Sequence, residues 1–361
     1  MKLKYIKILF LFSLILFFTG CERKNNNQTN VGILLPLTGN GALYGEYVLE
    51  GIELVTKNSN LENINIIIED SKTTAKDGIF SINKLIKKDN IDILIGPMSS
   101  SVALSVGPIA DKNNILMITT GSAPKISDLG KNIFRIYPSD SYDGKFLAKK
   151  IIENKLYNNI LLYLNNDFGA GISKVFAKEY KGLNGKTVDK FAFEANQIDF
   201  SQIVTKISKL DFDNLLIVAT QKEYVNILNK LTTFNIENKK IFAPVNIEDS
   251  VVKNNISANM LDNIYYSKPN FDLSKNDLTP LQTKFKKEFT DRYNKTPNIF
   301  NAYGYDLINL VIKIANDSKN ENFTQTLKSY KNLNGATGSY SFDNNGDVER
   351  EFNLLKLKNL Q

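Results

Sequence analysis

The sequence predicts an α/β protein with two lobes, each built around a mostly parallel sheet. Continuous apolar runs, such as residues 64–70 and 91–96, alternate with segments of helical periodicity, such as residues 75–88. Such runs are typical of strands that crossover helices bury on both faces. The alternation pauses near residue 120 and restarts near residue 158, and a chain of 361 residues is long enough for two domains.

The first set of elements is predicted from apolar periodicity. Residues 75–88 are typical of an amphipathic helix, because Ile79, Ile82 and Leu85 fall on one face. The predicted strands of this set are residues 31–37, 64–70, 91–96 and 115–120, and the predicted helices are residues 42–57, 75–88 and 100–112.

The second set repeats the order of strand and helix. Asn345 and Gly346 lie between residues 339–342 and 348–357, and Asn-Gly is the strongest short hairpin signal, so we predict a closing hairpin there. The other predicted strands are residues 158–164, 186–194, 214–220, 240–245 and 263–267, and the helices are residues 170–180, 200–210, 223–231, 278–293 and 302–317.

The composition argues against most enzyme classes. The chain has no His and a single Cys. It therefore lacks the commonest general base and metal ligand, and it cannot form an internal disulfide or a multi-thiolate metal site. We predict no catalytic residue, no metal and no cofactor. The formal net charge of +7 comes from lysines scattered along the chain, which favours a solvated surface of mixed charge over a nucleic-acid partner.

Residues 1–20 have the pattern of a secretory signal peptide. Lys2, Lys4 and Lys7 precede an apolar run over residues 8–18. A run of about 11 residues is too short to cross a hydrocarbon core of ~30 Å. Residues 22–30 contain no apolar side chain, so residues 21–30 are predicted to form a flexible tether.

Polar loops follow three of the predicted strands in the first set. They contain residues 37–45, the serines at 99–101, and Thr119 to Ser122. Ligands of open α/β sheets bind beyond the carboxyl ends of the strands. Hydroxyls and free amides at a helix N-terminus suit an anion such as a carboxylate, but they also suit plain helix capping and turn formation. The residues alone leave both interpretations open.

Several segments, in this order and spacing, resemble those of one family over nearly the whole chain after residue 30. The family is that of the type I periplasmic solute-binding proteins of branched-chain amino acid (Leu/Ile/Val) ABC transporters. The segments are VGILLPLTGNGALYGEYVLEGIELV (31–55), IEDS (68–71), ILIGPMSSS (93–101), ILMITTGSAP (115–124), FRIYPSD (134–140), LNNDFGAG (164–171), NAYGYDLI (301–308) and TGSYSFDNNGDV (337–348).

The resemblance implies a particular architecture and activity. It implies two Rossmann-like lobes joined by three crossings, which capture a small-molecule solute between them by hinge closure and deliver it to an ABC permease. The expected N-terminal lobe comprises residues 30–137 and 268–336. The expected C-terminal lobe comprises residues 138–267 and 337–361.

The end of the signal segment carries a second resemblance. Residues 18–21, Phe-Thr-Gly-Cys, resemble the lipobox of bacterial lipoproteins. This implies cleavage before Cys21 and a lipid on its sulfur. The protein would then be anchored to a membrane of the bacterial envelope and face the periplasm or the exterior. The sequence leaves the choice between the inner and the outer membrane open.

The family resemblance also implies ligand-binding residues. An amino-acid ligand would place its carboxylate and amine against Ser100, Ser122 and the backbone of Gly121. Tyr44, Phe168 and Phe300 are expected to form aromatic walls around the ligand. Thr220 stands where the family has a tyrosine and is also expected to bind the ligand.

Val245 stands where the family has the acid that holds the ligand's ammonium group. A buried ammonium needs a charged partner, which valine does not provide. Glu248 or Asp249 of the same loop is open as a substitute, and a solvated helix start is the other interpretation of these two acids. The sequence therefore leaves the chemical class of the solute open among amino acids, amides and carboxylates. The fold also resembles that of penicillin-binding protein activators, so a non-transport regulator of the envelope is the alternative function.

Overall fold

The computed structural model of the chain describes residues 28–57, 61–318 and 322–359. The signal segment, Cys21 and most of the predicted tether lie outside these residues. The first sheet has five parallel strands in the order β2-β1-β3-β4-β5. Its strands are β1 (Thr29–Leu35), β2 (Ile64–Asp70), β3 (Ile93–Ile95), β4 (Leu116–Thr119) and β5 (Ile133–Arg135).

Helices connect these strands and cover both faces of the sheet. They bury alternate strand residues in separate apolar clusters, with Ile33 in one and Leu34 in the other. The connecting helices are α1 (Ala42–Thr56), α2 (Ala75–Lys87) and α3 (Ser100–Lys112).

The second sheet has six strands in the order β13-β10-β9-β8-β6-β7, and only β13 is antiparallel to its neighbour. Its strands are β6 (Asn158–Leu164), β7 (Lys186–Phe193), β8 (Asn214–Val218), β9 (Lys240–Pro244), β10 (Ile264–Pro269) and, late in the chain, β13 (Phe352–Lys356). Its helices are α4 (Asp140–Glu153), α5 (Asp167–Gly182), α6 (Ser201–Ile207), α7 (Gln221–Thr233), α8 (Ser250–Asn254) and α9 (Ala258–Leu261). The predicted α/β class with mostly parallel sheets is confirmed.

The chain then returns to the first sheet. Helix α11 (Ile299–Asp317) packs on α1 so closely that a Cβ on Gly51 would lie 2.0 Å from the carbonyl oxygen of Asn301, and one on Gly304 would lie 2.0 Å from that of Val48. Only glycine permits this approach. The returning elements are α10 (Pro280–Tyr293), α11 (Ile299–Asp317), α12 (Phe323–Ser329), β11 (Leu333–Gly335) and β12 (Gly338–Tyr340).

The predicted hairpin over residues 339–357 is wrong in its pairing. β12 pairs with β11, whereas β13 pairs antiparallel with β10. An isolated bridge between Phe342 and Val348 and hydrogen bonds around Asp343 close the turn that contains Asn345 and Gly346. The edge of β10 offers backbone groups that need partners, and β13 supplies them.

The segment after β12 bears on the boundaries between the lobes. The amide of Arg135 in β5 donates to the carbonyl of Gly346 at 2.8 Å, and the rings of Phe134 and Phe342 lie 5.4 Å apart. Residues 337–348 therefore contact the first sheet. We propose that the last crossing lies at residues 349–351 instead of after residue 336, and that the preceding one follows the end of β10 at Pro269 instead of residue 267.

Candidate functional site

A cleft lies where the carboxyl ends of the strands of both sheets meet. Nearly all of its wall follows the last residue of a strand, which is the position expected for a ligand site in parallel α/β sheets. The lining residues from the first sheet and its helices are Pro36, Gly41, Tyr44, Thr73, Met98, Ser99, Ser100, Thr120, Ser122, Tyr137 and Phe300. Those from the second are Asn166, Phe168, Thr220 and Asn246.

The cleft brings together most of the side chains named from the sequence. Tyr44, Phe168, Phe300, Ser100, Ser122 and Thr220 all line it. Gly121 does not, because its amide donates to Thr119 Oγ1 at 2.9 Å and an added Cβ would lie 2.9 Å from Ile126. Its backbone amide is therefore engaged inside the protein.

Val245 packs in the core and is 2% exposed, while the following residue, Asn246, reaches the cleft wall. The position that the resemblance links to an acid thus contributes no charge to the wall.

Ser100 joins the two polar loops that follow β3 and β4. Its Oγ accepts hydrogen bonds from the amides of Ser122, at 3.2 Å, and Ala123, at 3.1 Å. A hydroxyl has two lone pairs and one proton, so the Ser100 proton remains to be donated. Neither Ser99 nor Ser100 caps the backbone of α3 through its side chain. The capping interpretation therefore does not describe Ser100, which instead connects the two loops.

Thr119 and Thr120 have opposite roles although they are adjacent. The hydroxyl of Thr119 donates to the carbonyl of Pro97 and accepts from the amide of Gly121. Thr120 lines the cleft, and its buried Oγ1 has no hydrogen-bond partner among the described residues. An unpaired buried hydroxyl costs free energy, so Thr120 is suited to bind a polar atom in the cleft. No pattern in the sequence distinguishes Thr120 from Thr119 as a site residue.

Arg135 supports the loop after β4 from behind. Its Nη1 donates to the carbonyls of Ser122, at 2.9 Å, and Ala123, at 2.8 Å. Its Nε and Nη2 pair with Asp347, and Nη2 also donates to Ser127 Oγ at 2.8 Å. The side chain is fully buried. Sequence reasoning missed this residue, and the segment FRIYPSD was its only signal.

Aromatic rings form the apolar part of the cleft and connect its two sides. The rings of Tyr44 and Phe300 meet edge to face with centroids 5.1 Å apart. The Tyr44 hydroxyl lies 3.5 Å from the carbonyl oxygen of Asn246, and Tyr47 donates to Asp249 at 3.3 Å. Both contacts run from α1 to the loop after β9. Burial raises the pKa of Tyr44 well above its usual value, so the phenol stays neutral.

Buried acids lie behind this wall. Burial raises the pKa of Asp140 well above its usual value and that of Asp143 to about 7. Asp143 accepts a hydrogen bond from Ser267 at 2.5 Å. Glu223 accepts from the amide of Asn196 at 2.8 Å and from the Thr220 hydroxyl. None of these acids lines the cleft. In the described parts of the chain, no cluster of three or more His, Cys, Asp or Glu is placed to hold a metal ion.

Comparison with known proteins identifies the family of this chain. A family model described as periplasmic binding protein matches residues 28–360. The Leu/Ile/Val-binding protein BraC3 of Rhizobium johnstonii is 27% identical over 194 residues, which cover 51% of this chain and 52% of that one. The Leu/Ile/Val-binding protein homolog 3 of Brucella melitensis is 24% identical over 186 residues, 49% of this chain and 50% of the other. The chain thus spans about half the length of these curated relatives.

Solved structures share the fold over most of the chain. The branched-chain amino acid transporter substrate-binding protein LivJ of Streptococcus pneumoniae, in complex with isoleucine, has a TM-score of 0.82 at 22% identity, covering 92% of this chain and 97% of the other. A solute-binding protein of an ABC transporter from R. palustris, in complex with benzoate, has a TM-score of 0.81 at 20% identity, covering 92% and 94%. At these identities the likeness shows the fold.

Proposed function

Because the chain belongs to the periplasmic binding protein family, we propose that it captures a small polar solute in its cleft and delivers it to an ABC permease. The observation that carries the proposal is a cleft whose wall comes from both sheets and combines apolar rings with a few polar groups. Binding sites for small molecules typically have such a wall. A ligand that contacts both sides stabilises the closed arrangement, which a permease can then recognise.

The candidate solutes are amino acids, amides and carboxylates. The relatives of this chain are named for Leu, Ile and Val binding, and the similar structures hold isoleucine or benzoate. These ligands share a carboxylate. The hydroxyls of Ser100 and Thr120 provide donors for such a group on the side of the first sheet.

A thermal-shift screen of small metabolites tests the proposal. A solute at 100 times its Kd should add about 2.7 kcal/mol to the free energy of unfolding. Calorimetry on each hit would give Kd, and mass spectrometry of the natively purified protein would identify any solute retained from the cell. The proposal fails if no compound stabilises the protein and no solute is released when it is unfolded.

We also propose that the chain is a lipoprotein of the cell envelope, anchored through Cys21, which lies outside the described residues. Cys21→Ser should abolish incorporation of labelled fatty acid and release the chain from membranes. Ser13→Ala, in the apolar run of the signal segment, is the control that should remain anchored. Unchanged membrane association of Cys21→Ser would contradict the anchor without affecting solute binding.

A further inference from the structure

We propose that the solute is a monocarboxylate without an ammonium group, so that the cleft prefers an apolar carboxylic acid to a zwitterionic amino acid. The inference rests on the proposed function and narrows its ligand class. Among the described residues that line the cleft, none is Asp, Glu, Lys or Arg. The ligand's own charge must therefore be satisfied by neutral groups and backbone.

Neutral groups of this cleft favour an anion. Ser100 has a proton left to donate, and the buried Thr120 hydroxyl has no partner among the described residues. Helix α3, of 13 residues, begins at the cleft wall and has no acidic residue in its first turn and no side-chain cap. Its N-terminus carries partial positive charge, which stabilises a carboxylate and opposes a cation.

No corresponding group is available for an ammonium. The nearby acids are all held elsewhere or lie behind the wall. Glu223 accepts from Asn196 and Thr220, and Asp249 accepts from the amide of Val251 and from Tyr47. Carbonyl oxygens can accept hydrogen bonds from an ammonium but carry no net charge to balance it.

Asp140 and Glu248 are the rival acids, since each has one carboxylate oxygen buried without a partner among the described residues, although neither side chain lines the cleft. Lys268 pairs with the other carboxylate oxygen of Glu248 at 2.6 Å and balances its charge. Burial favours the neutral form of Asp140. A neutral carboxylic acid has no charge to balance an ammonium group, so a protonated Asp140 agrees with a ligand that lacks this group.

The rest of the wall suits an apolar body. Tyr44, Phe168, Phe300, Met98 and Pro36 present rings and aliphatic surface to the cleft. Such walls bury a flat ring or a branched alkyl chain attached to the carboxylate. The structure therefore assigns the carboxylate to the Ser100 and Thr120 side and the apolar body to the aromatic side.

Matched pairs of ligands test this assignment by calorimetry on the full mature chain. Leucine and 4-methylpentanoate differ only in the ammonium group, as do phenylalanine and 3-phenylpropanoate, and phenylglycine and phenylacetate. We expect the acid without the ammonium to bind at least about 10-fold more tightly in the pairs that bind, because an unbalanced charge is costly to bury.

Each other outcome of this comparison is also decisive. If the amino acid binds as tightly as its partner or more tightly, the inference is wrong and the proposed function stands. If the natively purified protein holds a solute with an ammonium group or without a carboxylate, the inference is again wrong. If no solute of any class binds, the proposed function fails and the inference fails with it.

Charge variants give a second, independent test. Asn246→Asp adds a carboxylate to the cleft wall with almost no change of shape and should reverse or erase the preference within a pair. Asn238→Asp adds the same charge at an exposed position of the same lobe and should leave the preference unchanged. We expect Asp140→Asn to change the affinity for the two ligands of each matched pair by the same factor. Selective loss of amino-acid binding would identify Asp140 as the ammonium partner and overturn the inference.

Discussion

Arg135 and Asp347 lie 212 positions apart in the sequence and form a bidentate ion pair. The Arg135 Nε lies 3.0 Å from Asp347 Oδ1, and Nη2 lies 2.7 Å from each carboxylate oxygen. The same guanidinium binds the carbonyls of Ser122 and Ala123 at the cleft. A residue near the end of the chain thus helps to hold the ligand loop, and the pair connects stability with binding.

Asp347→Asn should therefore lower both the free energy of unfolding and solute affinity. Removing one partner of a buried pair leaves an unbalanced charge and costs about 3–5 kcal/mol. Asp291→Asn breaks an exposed pair with Lys287 and is the matched control, with almost no expected change in the free energy of unfolding. Urea denaturation of both variants measures the difference. Equal midpoints would show that the Arg135 pair contributes no more than a surface pair.

Ser100→Ala should weaken binding of the solute by about 10- to 150-fold, since a hydrogen bond to a charged group contributes roughly 1.5–3 kcal/mol. The variant should also lose stability without ligand, because the amides of Ser122 and Ala123 lose their acceptor. Ser105→Ala is the control, since this hydroxyl donates only to the Ser101 carbonyl within α3 at 2.9 Å. An unchanged Kd in a correctly folded Ser100→Ala protein would remove Ser100 from the site.

Thr120→Val and Thr119→Val should have different effects on the free energy of unfolding. Without ligand, Thr120→Val should leave stability unchanged or raise it, because it removes an unpaired buried hydroxyl. Thr119→Val should destabilise by about 1–3 kcal/mol, because it leaves the amide of Gly121 and the carbonyl of Pro97 without their partner. Solute affinity should fall in Thr120→Val. Loss of stability in Thr120→Val without any change in Kd would indicate a structural role only.

Asp143→Asn should flatten the dependence of stability on pH. Burial raises the pKa of Asp143 to about 7. The folded state therefore binds more protons than the unfolded state between about pH 4 and 7, and the contribution of this group is complete at low pH and is lost as the pH rises through 7. From pH 5 to 8 the wild type should lose up to about 2.7 kcal/mol more than the variant, at about 1.36 kcal/mol per pH unit. Parallel profiles from chemical denaturation would contradict this.

Local patterns in the sequence predicted much of the fold. β2, β6 and α3 begin and end where the apolar runs and the Ser-rich loop indicate. Helix α4 was missed, because Asp140 and Asp143 are buried on its inner face and break the apolar periodicity that identifies a helix. The second strand of the hairpin was assigned to the wrong partner, because a turn signal does not report a competing edge such as that of β10.

The sequence by itself determined the elements and the strand-end loops, because periodicity and turn chemistry depend on residues close along the chain. It also placed the side chains of Ser100, Ser122 and Tyr44 near one edge of a sheet, since parallel strands share a carboxyl end. Only the tertiary structure decided that Thr120 faces the cleft while Thr119 faces inward, because adjacent side chains at a strand end point opposite ways. It alone joined Arg135 to Asp347, because two segments 212 positions apart in the sequence meet only in the completed fold.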